Sequence, residues 1–237
     1  MKPRERERER ERERVIRAPR FLNSFKFIFV FLIVLGSFLF VGSANAATYY
    51  VSPSGSNTAP YDTWAKAVNQ ITSAVGVINS SGNGDSEDKI YVAPGTYNSI
   101  GLNGDADIVG TYIIGIEHGA DPAIYPNGTW TEVVRDGVLI LNTSIYAVYA
   151  DASSDEITFR NLTIRASGNR GMYSGEAGGD DWSFYNVKFD IADNVGSSIL
   201  FETKGTENLL FDICLFRNGN SANALSLYGD TSGVIRN

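Results

Sequence analysis

The sequence predicts an all-β solenoid, a coil of short strands whose successive turns stack on one another. Three observations support this fold class: a repeat, an alternation of apolar residues within each copy, and an asparagine at which that alternation changes phase. The copies begin at residues 157, 182 and 209, so their offsets are 25 and 27 residues. They read ITFRNLTIR (157–165), WSFYNVKFD (182–190) and LLFDICLFR (209–217).

The apolar residues of the three copies fall into columns. Their alternation indicates strands with one buried face, and asparagine tolerates the left-handed conformation that a sharp bend needs. Each copy therefore predicts two short strands, joined in the first two copies by a corner at Asn161 or Asn186. The predicted inward columns are Ile157/Trp182/Leu209, Phe159/Phe184/Phe211, Leu162/Val187/Cys214 and Ile164/Phe189/Phe216.

A third strand in each turn is predicted from a second set of apolar stretches. One of them precedes the first copy and the others follow the three copies, and together they are IYAVYAD (145–151), GMYSGE (171–176), SSILFET (197–203) and ALSLYGD (224–230). We expect one residue of each stretch to point into the coil, with successive turns about 4.8 Å apart. These inward residues are Val148, Met172, Leu200 and Leu227.

The repeat is still running at the last residue of the sequence. Ile235-Arg236-Asn237 aligns with Phe159-Arg160-Asn161 and so opens a further copy. A repeat of this kind needs neighbours or a polar cap to cover its apolar cross-section. We therefore expect the chain to be a fragment, truncated at its C terminus.

Residues 1–46 are predicted to form a charged leader and a secretory signal peptide, and 47–237 the β-solenoid domain. The leader reads RERERERERER over residues 4–14, which gives no apolar face for a core. A basic stretch, the apolar run 27–41 and small residues at Ala44 and Ala46 then match a signal peptide cleaved after Ala46. The expected location is secreted or at the cell surface, and an uncleaved signal peptide would be the only route to a membrane.

Composition excludes several classes of function. Residues 1–26 hold ten Lys/Arg and five Glu, whereas the rest of the chain holds ten Lys/Arg and 22 Asp/Glu, a net charge of −12. Such an acidic body argues against nucleic acid as a partner. One Cys and one His exclude an intrachain disulfide framework and a multi-His metal site. No metal site and no cofactor is evident from the residues.

The repeat resembles the right-handed parallel β-helix proteins of the pectate-lyase-like superfamily, which share the pectin lyase fold. Residues 48–68 (TYYVSPSGSNTAPYDTWAKAV) resemble the opening segment of secreted members, and 88–98 (DKIYVAPGTYN) resemble their first turn. In that family a helix caps the open end of the coil. Here the helical spacing of apolar residues predicts one from Trp64, Ala67, Val68, Ile71, Ala74, Val75 and Ile78.

One outward column of the third strands is the predicted carbohydrate-binding site. Each of its aromatic residues follows a residue assigned to the interior, and carboxylates lie just beyond. Sugar C–H faces stack on aromatic rings, and sugar hydroxyls bond to carboxylates. The alternative is a purely structural aromatic stack. The predicted residues are Tyr149, Tyr173, Phe201, Tyr228, Asp151, Glu202 and Asp230.

Other polar residues favour structural roles. Arg165, Asp190 and Arg217 occupy one outward position on three successive turns and predict a cross-strand charge ladder. Cys214 lies in an inward column and is interpreted as a small core residue, and His118 as a surface residue. The resemblance implies calcium as a cofactor of some members, but the acidic loops around 85–88 and 180–181 show no regular spacing of oxygen ligands.

These observations predict an exported β-helix protein that binds or degrades extracellular polysaccharide or a cell-surface glycan. The alternative is a non-catalytic, adhesin-like or structural β-solenoid protein. Whether the chain is an enzyme stays open, because the sequence indicates no catalytic residue. If it is one, the resemblance implies a polysaccharide lyase or a glycoside hydrolase of the β-helix type.

Overall fold

The computed structural model describes residues 46–81, 87–102, 108–123, 132–141, 145–150, 155–167, 170–176, 181–191, 199–204, 208–217, 223–228 and 232–236. The chain divides into Met1–Ser43 and Ala44–Asn237, and all of the described residues belong to the second unit. The predicted leader and most of the predicted signal peptide therefore lie outside the described residues.

The described residues form a parallel β-solenoid, as the repeat predicts. The first sheet contains β1 (Thr48–Val51), β2 (Lys89–Val92), β5 (Tyr112–Gly115), β8 (Thr158–Arg160), β11 (Ser183–Tyr185), β14 (Leu209–Asp212) and β17 (Gly233–Arg236). The second sheet contains β3 (Gly95–Tyr97), β6 (Val138–Leu141), β9 (Thr163–Ala166), β12 (Lys188–Ile191) and β15 (Leu215–Arg217). The third contains β4 (Ile100–Leu102), β7 (Tyr146–Ala150), β10 (Arg170–Glu176), β13 (Ile199–Lys204) and β16 (Asn223–Tyr228).

The inward columns of the first and second sheets are confirmed. Phe159, Phe184 and Phe211 are direct register partners, and the ring of Phe184 stacks on those of Phe159 and Phe211 at centroid distances of 5.4 and 5.0 Å. Phe189 is likewise paired with Ile164 and Phe216. The core is therefore continuous along the coil, because each turn is covered by the next.

The corners lie where the alternation changes phase. Asn161 and Asn186 have φ values of 53° and 51°, in the left-handed region. The Nδ2 of Asn186 donates to Oδ1 of Asn161 at 3.0 Å, so the two buried amides form a ladder along the coil. In the next turn Ile213 occupies this position with φ 54° and is half exposed.

Replacing Ile213 with asparagine is expected to stabilise the protein. A β-branched residue is strained in the left-handed region, and an asparagine there would place its amide beside that of Asn186. We expect Ile213→Asn to raise the free energy of unfolding by about 1 kcal/mol, measured by chemical denaturation. Ile213→Val keeps the branched side chain and is the matched control. Equal midpoints for the two variants would contradict the strain argument.

The predicted capping helix is shorter than its apolar pattern indicates. Helix α1 spans Ile71–Ser81 and buries Ile71, Ala74, Val75 and Ile78 against the first strands of the coil. Trp64–Lys66 forms a 3₁₀ turn instead. Val68 forms a parallel bridge with Val51, donating its N–H to Tyr50 and accepting one from Ser52, so this segment is extended rather than helical.

The predicted inward column of the third sheet is wrong in two strands, by one residue in β13 and by two residues in β16. Val148 pairs with Met172, and Met172 pairs with Phe201 rather than with Leu200. Phe201 is fully buried, and its ring packs edge-on against Phe184 and Phe211. Leu225 follows Phe201 in this column, whereas Leu227 pairs with Thr203.

The described residues between 99 and 137 also belong to the coil. They contribute β4, β5 and a short helix, α2 (Glu132–Gly137). The two strands pair with their neighbours in the third and first sheets, so the solenoid runs from β1 to β17 in the first sheet.

Candidate functional site

Three tyrosines form a cluster on the outer face of the third sheet. Tyr149 and Tyr173 are direct register partners, and each lies between buried neighbours. Their rings stack at a centroid distance of 5.9 Å with planes 13° apart. The ring of Tyr146 packs 5.4 Å from Tyr149 and 5.0 Å from Tyr173. We call Tyr146, Tyr149 and Tyr173 the tyrosine cluster, and all three side chains are half-buried.

A guanidinium and a carboxylate flank the tyrosine cluster. The Cζ of Arg170 lies 5.1 Å from the ring centroid of Tyr173 and 5.6 Å from that of Tyr146. Its Nη1 donates to the Tyr146 hydroxyl at 3.2 Å, and its Nε forms an ion pair with Glu202. The side chain of Arg170 is 25% exposed and that of Glu202 only 5%. The cation is thus the accessible member of the pair.

The structure agrees with the predicted orientation of two site residues and not with that of a third. Tyr149 and Tyr173 face outward as predicted. The outward position of Phe201 is wrong, because it belongs to the core, and Glu202 takes the next place in the column of Tyr149 and Tyr173. The physical reason is that the run 199–201 is apolar throughout, so alternation does not fix its phase, and the core aromatics accept the larger ring.

The remaining predicted site residues are described only in part. Tyr228 pairs with Lys204 through its backbone, so it lies outside the column of Tyr149 and Tyr173, which continues with Ser226. Asp151 and Asp230 lie outside the described residues.

Two members of the site, Tyr146 and Arg170, are absent from the predicted set. They are register partners of one another, as Tyr149 and Tyr173 are. The signal in the sequence is the equal spacing of the two pairs: Tyr146 precedes Tyr149 by three residues, and Arg170 precedes Tyr173 by three. Neither residue directly follows one of the predicted inward residues, so alternation alone does not indicate it.

The predicted charge ladder is confirmed on the outer face of the second sheet. Asp190 pairs in register with Arg165 and Arg217. Its Oδ2 accepts from the Nε of Arg165 at 2.8 Å, and its Oδ1 from the Nε of Arg217 at 2.6 Å. The Asp190 side chain is fully buried beneath them. This ladder joins three turns and is a structural feature.

Two further side chains that could carry chemistry, Cys214 and His118, make packing contacts instead. Cys214 follows Val187 along its column, and burial raises the pKa of its thiol to about 11, so the protonated form prevails at neutral pH. The exposed ring of His118 packs 5.1 Å from that of Trp64. Among the residues that the structure describes, no group of three or more His, Cys, Asp or Glu is placed to hold a metal ion.

Only part of the two acidic loops lies within the described residues, so the calcium that the resemblance implies stays a prediction. Asp88 is fully buried and accepts a backbone hydrogen bond, while Glu87 beside it is exposed. Asp85 and Asp180 lie outside the described residues. We therefore derive no step through calcium.

Within the part of the chain that the structure describes, no helix has the length and apolar character that a membrane span needs.

Comparisons with known proteins add little to this geometry. No protein-family model and no curated protein matches the chain. Among solved structures it is similar to a candidate glycosyl hydrolase from Parabacteroides merdae, with 12% sequence identity and a TM-score of 0.34. The alignment covers 70% of this chain and 87% of that chain. A likeness at this level carries no argument about activity.

Proposed function

We propose that this chain is an exported glycan-binding protein of the pectate-lyase-like β-helix type, and that the tyrosine cluster is its binding surface. The observation that carries the proposal is the set of three half-buried, mutually packed tyrosines on one outer sheet face, with Arg170 among them. Aromatic rings with polar tips are suited to ligands that have both apolar and hydroxylated faces.

The cluster is built on a rigid base. The strands β7 and β10 pair over four residues each, and β10 pairs with β13 beyond them. The inward neighbours Val148, Met172 and Phe201 are fully buried in the core. A ligand would therefore meet side chains that are already held in place, which lowers the entropy cost of binding.

The charge of the chain favours a neutral glycan. With a net charge of −12 after residue 26, the body would repel an acidic polymer at long range. Arg170, beside the tyrosine cluster, is itself paired with Glu202. It therefore acts as a hydrogen-bond donor rather than as an uncompensated positive charge. A neutral extracellular polysaccharide is not repelled by the acidic body, and it needs no uncompensated positive charge in the site.

The described part of the site supports binding rather than catalysis. Glu202 is nearly buried and paired with Arg170, whereas a catalytic acid or base must reach the atom whose proton it transfers. The proposal therefore includes no catalytic step. The structural alternative, in which the rings only support one another, differs from it in predicting no glycan retention.

Tyr149→Ala is expected to weaken glycan binding. Truncating a ring at the centre of a binding surface typically costs more than 1 kcal/mol, so we expect the Kd to rise by about tenfold. The measurement is isothermal titration or affinity electrophoresis against a panel of neutral and acidic polysaccharides. Tyr185→Ala is the matched control, because Tyr185 is half-buried on the outer face of a different sheet, where it packs against Arg160.

Two results would contradict the proposal. One is the absence of retention on every polysaccharide by the folded wild-type protein, which would favour the structural alternative. The other is equal loss of affinity in Tyr149→Ala and Tyr185→Ala, which would place the binding surface elsewhere. Circular dichroism of both variants separates a loss of binding from a loss of fold.

A further inference from the structure

A carboxylate occupies the core at the start of the coil. Asp88 is fully buried and lies between Ala47 and Thr111 in one column of the first sheet, since Lys89 donates its N–H to Ala47 and Tyr112 donates to Asp88. The same column continues with the buried side chains of Ile157, Trp182 and Leu209. An ionisable group here is an exception to an otherwise neutral column.

Asp88 contacts the backbone nitrogen of Ala47. The distance between Ala47 N and Asp88 Oδ1 is 2.6 Å. Burying a carboxylate is costly unless it is hydrogen-bonded and its charge is compensated. A hydrogen bond from an ionised donor is about twice as strong as one from a neutral amide. A positive charge on this nitrogen would therefore satisfy Asp88 far better than an amide.

Ala47 is the residue that follows the predicted cleavage position. The small residues Ala44 and Ala46 stand at the positions that a signal peptidase recognises. Ala46 is exposed, whereas Ala47 is half-buried and packs against the core. The boundary predicted from the sequence thus coincides with the residue whose nitrogen meets the buried carboxylate.

We propose that Asp88 is the ion-pair partner of the α-ammonium group that forms when residues 1–46 are cleaved off after Ala46. Signal peptidase would hydrolyse the Ala46–Ala47 peptide bond with one water molecule, which leaves a carboxylate on Ala46 and an amine on Ala47. That amine takes up a proton at neutral pH. The amide–carboxylate hydrogen bond thereby becomes a buried ion pair between the new N terminus and Asp88.

The consequence is that removal of the leader stabilises the start of the coil. The precursor offers Asp88 an amide, whereas the processed chain offers it a full positive charge. The first strand, β1, begins one residue after Ala47 and forms the edge of the first sheet. Export and the final stability of the fold are then linked through a single carboxylate.

The test starts from the full chain expressed in a host that exports it. N-terminal sequencing of the purified product is expected to find Ala47 first. In Asp88→Asn the unfolding equilibrium constant of this product should rise by about tenfold, because the charge-assisted hydrogen bond to the new N terminus is lost. Glu87→Gln, one residue away and exposed, is the matched control and should leave it unchanged.

A second measurement follows the α-amine itself. Its reaction with an N-terminus-specific aldehyde should be about tenfold slower in the folded wild-type product than in the denatured product, because the ion pair stabilises the unreactive ammonium. Asp88→Asn should remove this protection. A mature N terminus other than Ala47 would overturn the proposal, as would equal reactivity in the folded and denatured wild type. Equal reactivity of the folded and denatured wild type would overturn the proposal even if Asp88→Asn fails to fold.

Discussion

Phe184→Ala is expected to lower the free energy of unfolding by about 3–5 kcal/mol. Phe184 is fully buried, and its ring contacts aromatic rings from all three sheets. These are the rings of Phe159, Phe189, Phe201 and Phe211. The surrounding strands are fixed by ladder hydrogen bonds, so the cavity cannot close by a simple shift of one side chain. Chemical denaturation followed by circular dichroism measures the loss.

The adjacent variant Tyr185→Ala is the control for this experiment. Tyr185 is half-buried and points outward, where its ring lies 4.6 Å from the Cζ of Arg160. Its removal should cost about 1 kcal/mol, the range of a partly exposed cation–π contact. Equal denaturation midpoints for the two variants would contradict the inward and outward assignment of this strand.

Removing both arginines of the charge ladder is expected to cost about 3–5 kcal/mol, more than the two single losses together. In Arg165→Gln the buried carboxylate of Asp190 keeps Arg217, and in Arg217→Gln it keeps Arg165. Each single variant should therefore cost about 1 kcal/mol. The double variant leaves the carboxylate buried without either guanidinium.

A double-mutant cycle from denaturant titrations measures this coupling. Lys66→Gln serves as the control, because Lys66 pairs with Asp62 on the surface, where both side chains are about half exposed, and should cost under about 1 kcal/mol. Strict additivity of the Arg165 and Arg217 losses would show that Asp190 does not depend on their shared charge.

The columns of the first and second sheets could be predicted because three copies of the repeat can be aligned. Phe159 lies between polar residues, an asparagine marks the corner in two of the three copies, and the alignment then fixes the phase of the apolar run 209–211. The phase of β13 could not be predicted in this way. Leu200 and Phe201 are both apolar, and only contacts with rings of other sheets select Phe201 for the core.

Two residues of the candidate site could likewise be predicted from the alternation of apolar residues. Tyr149 and Tyr173 follow from alternation around Val148 and Met172. Arg170 joins them through its contacts with the rings of Tyr146 and Tyr173. Tyr146 lies 24 positions earlier in the chain, so this contact depends on the register of the third sheet. The contact between Ala47 and Asp88 spans 41 residues and likewise has no local signature.

The corners between the first and second sheets always contain two residues in the last three turns: 161–162, 186–187 and 213–214. The loops beside the third sheet vary instead, with three residues between β9 and β10, seven between β12 and β13, and five between β15 and β16. Insertions there leave the stacking of the columns intact. Such a chain can therefore gain or lose residues between the second and third sheets during evolution without disturbing the columns that hold its turns together.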